Sequence, residues 1–159
     1  MKTCVFAGTF DPITNGHLYV ISKCLKAFDK VVIAVGVNVD KTPAFTIDER
    51  VKMIKLALEG QDGIEIKEFS GMLVDFMREN GIKINVRGLR DQHDYQYETT
   101  MAQYNLDMYP DLITLYMPTP LSLSHVSSTA IRNIIKNGGD LSLYLPEAVA
   151  SFIRQSKKL

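Results

Sequence analysis

Four stretches of this 159-residue chain gather side chains that hold anions. The first is Gly8-Thr9-Phe10-Asp11-Pro12-Ile13-Thr14-Asn15-Gly16-His17. Its glycines permit close backbone approach to a ligand, and His17 falls in the first turn of a predicted helix. A histidine placed there can donate a hydrogen bond to phosphate oxygens collected at the helix N-terminus. The second stretch, Asn38 to Thr42, contributes Lys41. The third, Arg87-Gly88-Leu89-Arg90, offers two guanidiniums that can clamp phosphate oxygens bidentately. The fourth is Ser124-His125-Val126-Ser127-Ser128-Thr129, where three hydroxyls open a predicted helix. One hydroxyl suffices for a cap, so three in succession lean toward an anion site.

Each stretch also has a plain structural reading. Gly8 to Pro12 could be only a turn, His17 a capping-region histidine, and Ser127 to Thr129 a cap. Arg87 and Arg90 could be surface charge near Asp91 and Asp94, and Lys41 a solvated lysine. Glu98 sits mid-helix among tyrosines as a further functional candidate, while Tyr95, Tyr97, Met101, Tyr104 and Met108 suit packing in a core or an interface. The pattern around His17 favours function there.

The elements that must position these groups alternate along the chain. Cys4 to Phe6, Val31 to Val35, Ile64 to Ile66, Ile82 to Val86 and Leu112 to Met117 read as five strands. Between them, Leu18, Ile21, Leu25 and Phe28 recur at helical spacing, and Thr46-Ile47-Asp48-Glu49 is a capping-box sequence with Ile47, Val51, Ile54 and Leu58 behind it. Leu73 to Asn80 is a short helix stopped by Gly81, Gln96 to Met108 a longer one, and Ser127 to Lys136 a helix ending at Gly138-Gly139. A last helix opens with Pro146 at its first position. Such alternation predicts an α/β fold, a Rossmann-like five-stranded parallel sheet with helices on both faces, in a single domain over residues 1–159. In open sheets of this kind ligands bind outside the carboxyl ends of the strands, which is where all four stretches fall.

Composition narrows the function classes. Eighteen basic residues balance eighteen acidic ones, so a strongly basic nucleic-acid binder is disfavoured, and no recognition motif for DNA is present. The apolar run before Gly8 is too short for a signal peptide, and no run reaches the ~18 apolar residues of a membrane span. Cys4 and Cys24 are far apart and form no metal-type cluster; two free thiols fit a cytoplasmic location. No membrane or nucleic-acid partner is expected.

With Gly8-Thr9-Phe10-Asp11-Pro12 and Thr14-Asn15-Gly16-His17 the chain resembles the nucleotidyltransferases with the H/T-x-G-H signature. Lys41 with Pro43, Arg87-Gly88-Leu89-Arg90, Asp94-Tyr95-x-Tyr97-Glu98 and Ser127-Ser128-Thr129 make it similar to the phosphopantetheine adenylyltransferase family within that group, in order and over nearly the whole length. The resemblance implies transfer of AMP from ATP to 4′-phosphopantetheine, yielding dephospho-CoA and pyrophosphate, with Mg²⁺ held mainly through ATP phosphates. It implies His17, Lys41 and Arg90 as catalytic residues. It places Thr9, Phe10, His17, Gly88, Leu89, Arg90 and Glu98 on ATP, together with Leu123, Ser124, His125, Val126, Ser127, Ser128 and Thr129. Thr9, Lys41, Leu73 and Arg87 fall on the acceptor, and no residue is implied as a direct metal ligand. A homohexamer inhibited by CoA is implied as well. Ala7 stands where the family usually has proline, which should soften a turn, and residues 119–124 lack the tryptophan of some members.

The chemistry agrees with that picture. A phosphate monoester is already ionised at neutral pH and needs no general base, so catalysis reduces to positioning two anions and neutralising charge. Related transferases with nicotinate mononucleotide or glycerol phosphate as acceptor, and a non-catalytic nucleotide- or CoA-binding module, are the competing readings. Thr14 in place of the first histidine, with Arg87-Gly88-Leu89-Arg90, argues against the former, and the presence of His17 with the basic residues against the latter.

Overall fold

The most continuously apolar segments, Cys4 to Ala7 and Val31 to Val35, are buried throughout. In the computed structural model, which describes residues 1–37 and 42–156, they form the middle of β1 (Thr3–Gly8) and β2 (Lys30–Val37). The chain continues through β3 (Ile64–Ser70), β4 (Ile84–Leu89) and β5 (Ile113–Pro118). The helices are α1 (Asn15–Ala27), α2 (Ile47–Ala57), α3 (Leu73–Glu79), α4 (Gln92–Met108), α5 (Ser128–Lys136) and α6 (Glu147–Gln155). All pairings are parallel and the strand order is β3-β2-β1-β4-β5.

Successive side chains of a strand point to opposite faces, so each central strand feeds two cores. Cys4, Phe6, Val31, Ile33 and Val35 meet α1, α2, α5 and α6 through Ile21, Met53, Ile131 and Ile153. Val5, Ala7, Val32 and Ala34 meet α3 through Val74, Phe76 and Met77. A Val, Ile, Phe or Met side chain among them contributes about 1.5–3 kcal/mol when fully buried. These two apolar layers put helices on both faces, as the alternation predicts. Helix α4 differs: none of its own residues is buried.

Strand order reverses between β1 and β4, the position where open sheets form a crevice. Their pairing covers only Val5 with Asn85 and Phe6 with Val86. Beyond that the strands part, and Arg87 Nη1 crosses the gap to donate to the Ala7 carbonyl at 2.6 Å. Ala7 lies in the strand itself, so the residue expected to soften a turn sits in no turn.

Several boundaries differ from the sequence reading. The fourth strand is displaced from 82–86 to Ile84–Leu89, because Gly81, at φ +64°, and Ile82 close the turn after α3. Helix α4 begins at Gln92 instead of Gln96, with Asp91 as its cap accepting from the Asp94 amide at 2.8 Å. Pro146 occupies the N-cap position instead of the first helical one, and a short 3₁₀ turn, Leu121–Leu123, follows Pro120. The two capping residues read from Thr46 and Ser127 are in place, Thr46 in a full box with Glu49.

Candidate active site

A cavity of about 690 Å³ opens at the crevice between the ends of β1 and β4. Of the residues singled out from sequence, Thr9, Phe10 and His17 line it from the β1 side, and Arg87, Gly88, Arg90 and Glu98 from the β4 side. Val126, Ser127, Ser128 and Thr129 close it at the start of α5. Leu73, Leu89, Leu123, Ser124 and His125 are not among its lining residues. Lys41 lies outside the described residues.

His17 is the third residue of α1, and its surroundings fix its chemical state. The helix is capped by Thr14, whose Oγ1 accepts from the His17 amide at 3.5 Å. The reciprocal bond of the capping box, usually made by Glu or Gln, is made here by the imidazole: the Thr14 amide donates to Nδ1 at 3.0 Å. An accepting Nδ1 carries no proton, so the neutral ring holds its hydrogen on Nε2. Phe10 and Phe6 pack on the ring with centroids 5.0 and 6.2 Å away. Burial, then the positive charges of Arg90 and Arg87, lower the His17 pKa to about 4. At neutral pH the ring is therefore a neutral donor.

Phe10 lies with its side chain buried beneath His17 and its backbone at φ +50°. A Cβ on residue 8 would come within 3.2 Å of the Phe10 ring, so Gly8, which lines the cavity, also makes room for that ring. Gly88 likewise serves packing, since a Cβ there would meet Val20 Cγ2 at 3.1 Å.

The β4 side is a set of ion pairs. Arg87 sends Nε and Nη2 to Glu98 at 2.8 and 2.7 Å. Arg90 sends Nε and Nη2 to Asp94 at 2.8 and 3.0 Å, and its amide donates to the same carboxylate. These bonds hold the Asp94 carboxyl below its usual range and raise the Arg90 guanidinium. Surface charge beside Asp94 and a cavity-lining cation are thus both true of Arg90. Asp91 instead caps α4.

The three hydroxyls of α5 each have a structural partner. Ser127 Oγ accepts from the Ala130 amide at 3.1 Å, Ser128 Oγ donates to the Pro12 carbonyl at 2.8 Å, and Thr129 Oγ1 accepts from Arg132 at 3.1 Å. Ser128 alone of the three knits α5 onto the Asp11–Pro12 segment; a helix start leaves backbone amides that can bind an anion.

Residues to which the sequence assigns no role of their own complete the wall. Asp11, 4% exposed, accepts from the Ala44 and Phe45 amides, both at 2.9 Å. Arg132 donates to the Asp11 carbonyl at 2.9 Å, and Arg50 lines the cavity from α2. A signal for Arg50 was available: it lies three residues after Ile47 and four before Ile54, on the apolar stripe of its helix.

The chain matches known proteins over nearly its whole length. Residues 5–134 match the Cytidylyltransferase-like family. The phosphopantetheine adenylyltransferase of Clostridium botulinum (strain Eklund 17B / Type B) is 42% identical over 158 residues, covering 99% of both chains. That of Clostridium tetani (strain Massachusetts / E88) is 42% identical over 149 residues, 94% of this chain and 93% of the relative. The chain belongs to the phosphopantetheine adenylyltransferase family. Members of this family transfer the adenylyl group of ATP to 4′-phosphopantetheine, forming dephospho-CoA and pyrophosphate in coenzyme A biosynthesis, and the chain is a nucleotidyltransferase of that kind. A Vibrio parahaemolyticus crystal structure that carries the name of a nicotinate-nucleotide adenylyltransferase superposes with a TM-score of 0.75 at 19% identity, covering 99% of this chain and 95% of the other. That likeness shows the nucleotidyltransferase fold. Nucleotidyltransferases generally use Mg²⁺ with ATP. No helix of the described residues is long and apolar enough to cross a membrane.

Proposed function

We propose that the cavity carries out adenylyl transfer by electrostatic stabilisation, without a general base, in one nucleotidyltransferase domain spanning the chain. The observation that carries this reading is the state of His17: with Nδ1 accepting from Thr14, its Nε2–H is a neutral donor at a cavity rimmed by Arg87 and Arg90. The ionised phosphate of 4′-phosphopantetheine is itself the nucleophile. It attacks the α-phosphorus of ATP, the bond to the bridging oxygen breaks, and pyrophosphate leaves with the electron pair. No side chain has to remove a proton, so positioning and charge neutralisation make up the catalysis.

In this reading His17 donates to the α-phosphate, with Arg90 and Lys41 as the other catalytic groups. Thr9, Lys41, Leu73 and Arg87 hold the acceptor. Phe10 contacts ATP through its backbone, and Gly88, Leu89, Arg90, Glu98 and residues Leu123 to Thr129 hold the rest of the nucleotide. Among the described residues no three His, Cys, Asp or Glu side chains converge as a metal cage, and Asp11, the buried carboxylate of the cavity, is occupied by two amides. The donor set therefore suits Mg²⁺ bound chiefly through substrate phosphates, where the ion neutralises charge.

Homohexamer assembly belongs to the same reading, supported by the exposed Tyr95, Tyr97, Met101 and Tyr104 on α4. So does inhibition by CoA, which shares the pantetheine and adenylate groups of the substrates, and a cytoplasmic location, consistent with the free thiols Cys4 and Cys24.

The test is pyrophosphate release from Mg·ATP with and without 4′-phosphopantetheine, beside His17→Ala. Release that requires the acceptor and collapses in the variant is the expected result. Wild-type turnover by His17→Ala would remove His17 from the mechanism. Release with a different phosphate monoester alone would keep the mechanism and replace the acceptor.

A further inference from the structure

Arg50 is a buried cation to which the reading above gives no part. It is 2% exposed, and its Nη1 donates to the Thr9 carbonyl at 2.7 Å and the Gly36 carbonyl at 2.9 Å. Its buried Nε finds no hydrogen-bond partner among the described residues. A guanidinium withdrawn from water is costly unless it is well paired; this one bonds two backbone oxygens, with the Asp11 and Glu68 carboxylates as its charged neighbours.

One of those oxygens belongs to the peptide that precedes Phe10. Among the described residues Phe10 is the non-glycine position with positive φ. A left-handed backbone on a bulky side chain costs about 1–2 kcal/mol and persists only when its surroundings over-determine it. In a trans peptide the carbonyl and the N–H point in opposite directions, so a Thr9 carbonyl drawn toward α2 turns the Phe10 N–H the other way. None of the hydrogen bonds among the described residues uses that N–H. The Phe10 side chain is 1% exposed, so the backbone donor is what this residue can offer a ligand.

We propose that Arg50 is a positioning residue for adenylyl transfer: by holding the Thr9 carbonyl it sets the Thr9–Phe10 peptide so that the Phe10 N–H faces the cavity as an anion donor beside His17 Nε2–H. The proposal rests on the reading of this cavity as the transfer site. A backbone donor fixed before the reaction gains strength as charge develops on the phosphoryl oxygens and needs no reorganisation at that moment. Arg50 acts through that peptide from the floor of the site.

The experiment compares wild type, Arg50→Lys and Arg50→Met by steady-state pyrophosphate release and by amide NMR of Phe10 with and without Mg·ATP, in the absence of acceptor. In the wild type the Phe10 amide proton moves downfield on adding Mg·ATP. In Arg50→Met that response is lost and kcat falls about 10- to 100-fold, while the KM for ATP changes by less than about threefold. Arg50→Lys keeps a cation that can reach one carbonyl, and restores part of both. Unchanged kcat and an unchanged Phe10 response in the folded variants, with only a lower Tm, would overturn the proposal. If Arg50→Met does not fold, Arg50→Lys decides by the same two readouts: partial loss of both supports the proposal and full retention overturns it. A wild-type protein in which the His17 ring responds to Mg·ATP and the Phe10 amide does not would overturn the role of Arg50 alone. Silence of both, with turnover intact, would overturn the reading of the cavity and the proposal with it.

Discussion

The two walls of the cavity are built on different principles. On the β1 side Phe10, Asp11, Thr14 and Arg50 are all buried; Asp11 and Arg50 are bonded to backbone amides or carbonyls of neighbouring segments, and Thr14 to the first turn of α1. On the β4 side the cations pair with carboxylates of α4, a helix with no buried residue of its own. The first wall is set before any substrate arrives. The second is neutralised by its own carboxylates, so an incoming phosphate must take a guanidinium partly away from Glu98 or Asp94. In the proposed mechanism catalytic geometry is drawn from the rigid side and adaptable charge from the other.

Breaking the rigid wall at its donor should have the largest effect. His17→Ala is expected to lower kcat about 10²- to 10³-fold, the usual result of deleting a donor aimed at developing charge. Single-turnover kinetics at saturating ATP check this. Second comes Asp11→Asn, which puts an NH₂ group against one of the two amides at Ala44 and Phe45. Losing a hydrogen bond to a buried carboxylate costs about 1.5–3 kcal/mol, read as a lower urea midpoint at unchanged slope.

The same wall predicts a pH dependence. The folded ring protonates near 4, below the ordinary imidazole value of 6.5. Between those values the unfolded chain binds a proton that the folded chain refuses, so stability rises with pH through this window. The ring's contribution is complete above 6.5 and declines as pH falls toward 4. Urea midpoints at pH 5 and pH 7.5 should therefore differ more for wild type than for His17→Ala. Protonation also removes the acceptor of the Thr14 amide, which ties the entrance of α1 to the charge state of the ring.

Asp94→Asn sharpens the comparison from the other wall and should be the smallest effect. The Arg90–Asp94 pair is 36% and 19% exposed, so its loss should change stability by less than about 1 kcal/mol. The freed guanidinium should lower the KM for ATP about two- to threefold at low salt, with the difference shrinking as salt is added. An ATP titration at two ionic strengths measures both.

What the sequence makes legible follows the same division. Central strands, the Thr46–Glu49 box and the Gly81 stop are readable because apolar runs, hydroxyl caps and glycine each have a single local cause. The end of β4 is hidden, since Arg87-Gly88-Leu89 looks like a loop and becomes strand only by pairing with Tyr116, Met117 and Pro118. The first turn of α4 is hidden because Gln92 to Tyr95 shows no apolar period. His17 stands out as a candidate, yet its part in a capping box does not, because that rule looks for Glu or Gln in its place. The hydroxyls of Ser128 and Thr129 are visible as a cluster, with Arg132 one helical turn after Thr129, while Pro12 is brought to Ser128 only by the fold.

A helix that shares in no core has a further consequence. Since α4 has no buried residue of its own, in the proposed homohexamer whatever covers its tyrosines and methionines would supply support that the folded chain alone does not. Chain integrity and site integrity then answer to different variables, one to temperature and denaturant, the other to protein concentration. Diluting the enzyme should erode its activity per chain while its circular dichroism stays that of a folded protein.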